Sequence, residues 1–236
     1  MSTPAWHADS LAPDKPSPAR MYDYFLGGYH NFTIDRHAAE QVIALYPDTP
    51  LVTQVNRAFL RRAIKFLIDQ GVNQFPDIGS GIPTVGNVHE AAQDLNAAAR
   101  VVYVDIDPIV VAHSATLLQD NPNAAVIRAD ARQPAYILNH PDVQRLLDFR
   151  RPVAVLLVAL LHFIPDDAEA SSLVRDLRCA LAPGSFVALS HATYDNAPRE
   201  LIQQVERLYA GTTNPAKTRT RTDIQHFFDG LDLVEP

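Results

Sequence analysis

The sequence predicts a doubly wound α/β fold, in which a parallel sheet carries helices on both faces. Three observations lead there. From residue 72 onward, short runs rich in Val, Ile and Leu alternate with helical stretches, the order that produces parallel strands. Those runs are apolar almost without a break, as strands covered on both sides require. The chain has 236 residues, 47% of them apolar, enough to close one large core without disulfides or metal.

Residues 1–20 carry Pro4, Pro13, Pro16 and Pro18 among few large apolar side chains, and read as a flexible arm. Residues 21–70 read as a helical segment in front of the sheet domain, which takes 71–236. Within it, Ala38, Ala39, Val42 and Ile43 repeat at helical spacing over residues 35–46, with Asp35 as the cap. A second helix covers 51–70 and stops at Gly71, the residue type favoured just past a helix end.

The expected strands are 72–78, 100–105, 124–129, 153–161 and 185–190. The helices between them are 84–98, 108–119, 135–149 with a break at Pro141, and 166–181. Asp107 followed by Pro108 is a good cap and first turn. Helical regions at 198–209 and 222–228 and a short run at 231–234 complete the chain.

Composition narrows the function. A net charge of −7 and a pI near 5.6 disfavour a nucleic-acid surface, which needs a basic stripe. The longest apolar run, 153–161, is about half the length of a membrane helix, and the N-terminus lacks a signal-peptide core, so a cytoplasmic protein is expected. The single cysteine, Cys179, cannot form an internal disulfide or a thiolate zinc site, and no metal is expected. A small-molecule partner is the natural expectation.

Doubly wound sheets bind ligands at the carboxyl ends of their strands. The first strand ends in Asp77-Ile78-Gly79-Ser80-Gly81-Ile82-Pro83-Thr84. Gly79 and Gly81 permit a sharp turn and close approach of a ligand to backbone amides, with any branch at Gly79 expected to occupy ligand space. Asp77 is the more telling residue. A carboxylate there repels a pyrophosphate but suits a ligand that carries an ammonium and a sulfonium. Thr84 stands where a dinucleotide fingerprint needs glycine, which counts against a nicotinamide enzyme.

The second strand ends in Val101-Val102-Tyr103-Val104-Asp105-Ile106-Asp107-Pro108, with Asp105 near the expected separation for an acid that binds ribose hydroxyls. Asp107 is better placed to cap the next helix, which leaves Asp105 for ligand. Asp130-Ala131, after the third strand, suits an adenine amino group and ring edge. Three acids thus stand at three successive strand ends. Lys217, Arg219 and Arg221 read as a solvated basic loop.

Taken together, Asp-Ile-Gly-Ser-Gly, Val-Asp-Ile-Asp-Pro, Ala129-Asp130-Ala131, Ala159-Leu160-Leu161-His162-Phe163-Ile164-Pro165-Asp166 and Leu181-Ala182-Pro183-Gly184 resemble the class I S-adenosylmethionine-dependent methyltransferases. The segment from Ala19 to Phe32 (Ala-Arg-Met-Tyr-Asp-Tyr-Phe-Leu-Gly-Gly-Tyr-His-Asn-Phe) is more specific. With Asp35-Arg36, Asn56-Arg57-Ala58-Phe59-Leu60 and Asn87-Val88-His89-Glu90, it resembles a bacterial S-adenosyl methyltransferase family formerly catalogued as a domain of unknown function.

The resemblance implies a Rossmann-like fold, S-adenosyl-L-methionine as cofactor, and transfer of its methyl to a small-molecule acceptor. Asp77 would meet the methionine ammonium, Gly79 and Gly81 the cofactor backbone, Asp105 with Ile106 the ribose region, Asp130 and Ala131 the adenine, and Ala159 the region near sulfur. Arg20, Tyr22, Gly28 and Asn31 would belong to a helical lid that touches the cofactor. His162 is the candidate base, with His191 a weaker one. A non-catalytic protein that binds S-adenosylmethionine or its product is the alternative.

Two departures stand out: Pro83 replaces a third glycine, and Pro76 falls inside a strand that should be central. Family sheets usually end with an antiparallel strand, and here that strand is expected to be missing. Either residues 231–234 cover the free edge at 185–190, or the edge is open to self-association.

Overall fold

Five parallel strands, Gln74–Ile78 (β1), Arg100–Asp105 (β2), Ala124–Arg128 (β3), Ala154–Val158 (β4) and Phe186–Ser190 (β5), lie in the order β3-β2-β1-β4-β5 in the computed structural model. The structure describes residues 14–83, 86–193, 195 and 197–234. The strand order reverses between β1 and β4, which puts the switch point at the carboxyl end of β1.

Alternation along each strand decides which layer a side chain joins. Val153, Val155 and Leu157 pack with Ile137, Val143, Leu173 and Leu177 on one face. Ala154 and Leu156 pack with Leu60, Ile64, Val88 and Ala92 on the other. The first face is covered by Pro134–Leu138 (α6), Pro141–Leu146 (α7) and Asp167–Cys179 (α8). The second is covered by Thr49–Asp69 (α3) and Val88–Leu95 (α4), and Pro108–Leu117 (α5) links β2 to β3.

Pro76 is in β1, as the sequence warned. Pairing with β2 is complete over five residues, whereas pairing with β4 is reduced to Asp77 opposite Leu156. A residue without an N–H cannot serve two neighbours.

Several boundaries move for identifiable reasons. A helix that composition did not signal, Pro18–Phe25 (α1), begins inside the expected arm; Ser17 and Arg20 are buried and Met21 is fully so, hence no loose arm reaches residue 20. Residues 1–13 lie outside the described ones. Thr33–Leu45 (α2) starts two residues before Asp35, so Asp35 caps it from the third helical position rather than from in front; its carboxylate accepts from the N–H of Phe32, the N-cap residue, at 2.9 Å and also from the Ser17 N–H at 2.9 Å. Helix α4 starts at Val88 rather than near residue 84, because Gly86 sits at φ 79° and Asn87 precedes the first turn with Glu90 accepting its N–H at 2.9 Å. Thr84 and Val85 are outside the described residues.

Residues 231–234 form no strand, and among the described residues only β4 pairs with β5. All five β5 residues are half-buried. The chain after β5 instead forms Arg199–Ala210 (α9), whose Leu208 and Tyr209 pack on Met21 and Phe25 of α1 and Val42 of α2, and then Arg221–Gln225 (α10).

Candidate active site

The turn after β1 folds over the end of β2. Gly79 and Ser80 N–H both donate to the Val104 carbonyl, at 2.8 and 3.2 Å, with Gly79 at φ 72° and Gly81 at φ 68°. A Cβ at Gly79 would stand 2.5 Å from Cδ1 of Leu160, while one at Gly81 would meet nothing within 4 Å. Gly79 is therefore required by its left-handed backbone and by Leu160. Leu160 itself lines the cavity, so the first group an added branch would meet is that wall.

A cavity of about 130 Å³ opens at the carboxyl ends of β1, β2, β3 and β4. Its walls bring together Asp77, Gly79, Gly81, Asp105, Ile106, Asp130, Ala131 and Ala159 from the sheet domain and Tyr22 from α1. Asp105 is not wholly free, since it accepts from Gly81 N–H at 2.8 Å and Asp107 N–H at 2.9 Å. Asp107 caps α5 through the Ile109 N–H at 2.9 Å. Asp130 is forked by Arg132, whose Nη2 lies 2.6 Å from Oδ2, and that hydrogen bond lowers its pKa.

Burial pushes Asp77 up to about 7, against the pull of nearby Arg57 and with a further push from Asp105. Asp105 rises to about 6, again through burial, moderated by its backbone donors. Among the described residues the Asp77 carboxyl makes no side-chain hydrogen bond or salt bridge, and Arg57 acts on it only through space.

Arg20, Gly28 and Asn31 do not line the cavity. Arg20 donates from Nε to Asp35 at 2.8 Å and from Nη1 to Asp107 at 2.7 Å. Asn31 Nδ2 donates to Asp23 and to the Gly28 carbonyl, and a Cβ at Gly28 would collide with the Asp23 carboxylate. Their polar groups are used up inside the N-terminal segment and its anchor. Of the four, Tyr22 alone reaches the wall of the cavity.

Asn56 and Arg57 of α3 were missed. Both line the cavity. Asn56 Nδ2 donates to the Tyr22 hydroxyl at 2.9 Å, and the Arg57 guanidinium stands 5.6 Å from the Tyr22 ring centre. Arg57 Nε and Ser80 Oγ are buried with no partner. The signal was the Asn-Arg pair in the family-like segment, to which the sequence attached no role.

A second cavity, about 430 Å³, adjoins the first and shares Tyr22, Asn56, Ala159 and Phe163 with it. It lies between the N-terminal helices, α9 and the end of β5. His162 and His191 are in its wall. Burial, helped by His191 and Arg219, holds His162 down at about 3; burial and Arg219 hold His191 at about 4. Arg219 is 2% exposed and bonded to the Leu161 and Ile164 carbonyls at 2.9 and 2.8 Å, so the expected solvated loop is corrected to a buried cation. Ala159, at the junction, is the one non-glycine among the described residues at positive φ, 55°. Its N–H donates to Ser190 Oγ at 2.9 Å.

Known proteins share this fold. The family model described as S-adenosyl methyltransferase matches residues 4–236. A candidate methyltransferase from Thermobifida fusca YX is 42% identical with a TM-score of 0.91, over 98% of this chain and 86% of its own. A DUF574 family protein from Streptomyces avermitilis MA-4680 is 40% identical with a TM-score of 0.89, over 94% and 86%. Mitomycin 7-O-methyltransferase shares the fold alone, at 16% identity and a TM-score of 0.52 over 95% of this chain and 69% of its own. No curated protein matches the sequence. The chain belongs to the S-adenosyl methyltransferase family and is an S-adenosylmethionine-dependent methyltransferase.

Proposed function

We propose that the cavity above β1 holds S-adenosylmethionine and that the adjoining chamber receives a small-molecule acceptor. The observation that carries this reading is a pair of unlike charges in one cavity: Asp77, a buried acid that Arg57 stabilises only through space, and Arg57, whose Nε is an orphan donor. A methionine end has the matching ammonium and carboxylate, and a buried charge is tolerable only when so paired.

In this reading Asp77 takes the ammonium, Arg57 and Ser80 the carboxylate, Asp105 the ribose hydroxyls, and Asp130 with Ala131 the adenine. Ala159 lies beside the sulfur. When bound, the cofactor supplies a methyl on a sulfonium, which an acceptor lone pair displaces in line. The chain contributes alignment, through the fixed turn at Gly79, and water exclusion, through Tyr22 and Phe163 at the junction. The acidic balance supports a small molecule over nucleic acid.

Among the described residues no helix is long and apolar enough to cross a membrane. We place the protein in the cytoplasm, where its exposed lone thiol, Cys179, would stay reduced.

Calorimetric titration tests the assignment. S-adenosylhomocysteine should bind the parent, NAD should not, and Arg57→Ala should weaken S-adenosylhomocysteine while leaving 5′-methylthioadenosine, which lacks the amino-acid end, unchanged. Equal losses for both ligands would remove Arg57 from the carboxylate.

A further inference from the structure

The segment after β4 carries three groups at the meeting of the two cavities: Ala159, Leu160, which packs on Gly79, and Phe163, which lines both. It closes with a single 3-10 turn over Leu161–Phe163. So brief a turn satisfies few of its own carbonyls. Their partners come from far along the chain. Arg219 Nη1 donates to the Leu161 carbonyl at 2.9 Å and Nη2 to the Ile164 carbonyl at 2.8 Å. The Lys217 N–H donates to the His162 carbonyl at 2.7 Å. Three carbonyls of one four-residue stretch are thus held by residues 55 to 58 positions later.

The other contacts of Arg219 fix its guanidinium in place. Nε donates to Asp167 at 2.9 Å, and the Phe227 ring centre lies 5.4 Å from the guanidinium carbon. Nη1 also stands 3.0 Å from His191 Nε2, and an arginine can only donate, so that nitrogen accepts. One cation therefore ties the segment after β4 to the one after β5.

Stability alone does not account for a charge at this place. The Arg219 side chain is 2% exposed, whereas that of Asp167 is 66% exposed. The cation has given up its water and its carboxylate has not, so their attraction is screened and offsets little of the desolvation cost. An apolar side chain would fill the same space without that cost. What only a guanidinium supplies is a flat fork of donors that reaches Leu161, Ile164 and His191 at once.

We propose, on the reading that the first cavity holds S-adenosylmethionine, that Arg219 is a positioning residue for methyl transfer. Through the Leu161 and Ile164 carbonyls it holds Ala159 and Leu160 against the sulfur end of the cofactor. Arg219 itself lines neither cavity. The ribose and adenine face Asp105 and Asp130, at the ends of β2 and β3, which this clamp does not reach. Loosening the clamp should loosen one end of the cofactor and spare the other.

The test titrates the full chain, below its melting range, with S-adenosylhomocysteine and with adenosine, which lacks the sulfur and the amino-acid end. Arg219→Met is expected to weaken S-adenosylhomocysteine by about tenfold and to leave adenosine within about twofold. Arg219→Lys keeps the charge but not the fork, and should fall between the parent and Arg219→Met. Val143→Ala, at a buried position on α7 that lines neither cavity, costs stability by another route and should move neither affinity. Equal losses for both ligands in Arg219→Met, or a matching loss of S-adenosylhomocysteine in Val143→Ala, reduce Arg219 to a stabilising contact and overturn the proposal. If Arg219→Met does not fold, the ratio of the two affinities in Arg219→Lys decides, and an unmoved ratio overturns it as well. A parent that fails to bind S-adenosylhomocysteine overturns the cofactor assignment and this proposal together, whereas a parent that binds it, with variants that bind equally well, overturns this proposal alone.

Discussion

Arg20 on α1 and Asp107 at the start of α5 are 87 positions apart in the chain and meet at 2.7 Å, the arginine buried and the aspartate half-buried. The same guanidinium holds Asp35 through Nε at 2.8 Å. One cation thus ties the N-terminal helices to the strand end that carries Asp105. Removing it leaves the buried Asp35 and the half-buried Asp107 without their cation, which costs about 3–5 kcal/mol. Arg20→Met should therefore lower the melting temperature sharply, and Asp35→Asn in the same chain should restore part of the loss. A melt equal to that of the parent would show that the pair is not structural.

Asp77 gives the site a pH dependence whose sign follows from its raised pKa, about 7 against an ordinary 3.8. The folded chain keeps a proton that the unfolded chain releases between about pH 4 and 7. Stability without ligand should fall as pH rises through that window, by at most about 1.4 kcal/mol per unit. Asp77→Asn should flatten the slope and raise the unfolding free energy at pH 8. Denaturant melts at pH 5, 6, 7 and 8 measure both.

Ligand binding has the opposite trend. An ammonium needs Asp77 ionised, so S-adenosylhomocysteine should bind up to about tenfold more weakly for each unit below pH 7, with Asp105 adding its share near 6. Calorimetry in two buffers of different ionisation enthalpy should register a proton released on binding at pH 6. No proton release would separate Asp77 from the ammonium.

Gly79→Val should cost stability as well as affinity, because it forces a branched residue to φ 72° and drives a Cβ toward Leu160. Gly79→Ala combined with Leu160→Ala relieves the clash and should recover part of the stability. If Gly79→Val melts like the parent, Leu160 has moved aside at no cost.

The outer side of β5 should exchange its amide hydrogens quickly. In dilute solution, residues 187–189 are expected to be less protected than 155–157 of β4, which is paired on both sides. Protection that grows with protein concentration would show copies pairing along that edge.

Much of the sheet was legible because its strands are continuous Val, Ile and Leu runs, a pattern that local sequence carries well. β2 is placed to the residue. The acids at the strand ends were legible for the same reason, since topology alone brings Asp77, Asp105 and Asp130 to one rim. What was lost depends on distance in the chain. Pro16 and Pro18 make the start of α1 look loose, and only Asp35 and Asp107, far downstream, turn Arg20 into its anchor. Arg57 looks like any charged position on a helix until the fold sets it beside Tyr22. Arg219 sits in a polar stretch and is buried only because the Leu161 and Ile164 carbonyls and His191 converge on it.

Ala159 holds an unfavourable backbone shape before any ligand arrives, and its N–H is moored to Ser190 at the tip of the outermost strand. The seam between the two chambers is therefore cut in advance, and no reorganisation is left for the moment of reaction. Its template is a strand that, among the described residues, has a bare flank. A neighbour laid along that flank would brace Ser190 and, through it, the seam, so that assembly state and catalytic geometry would share one mechanical link.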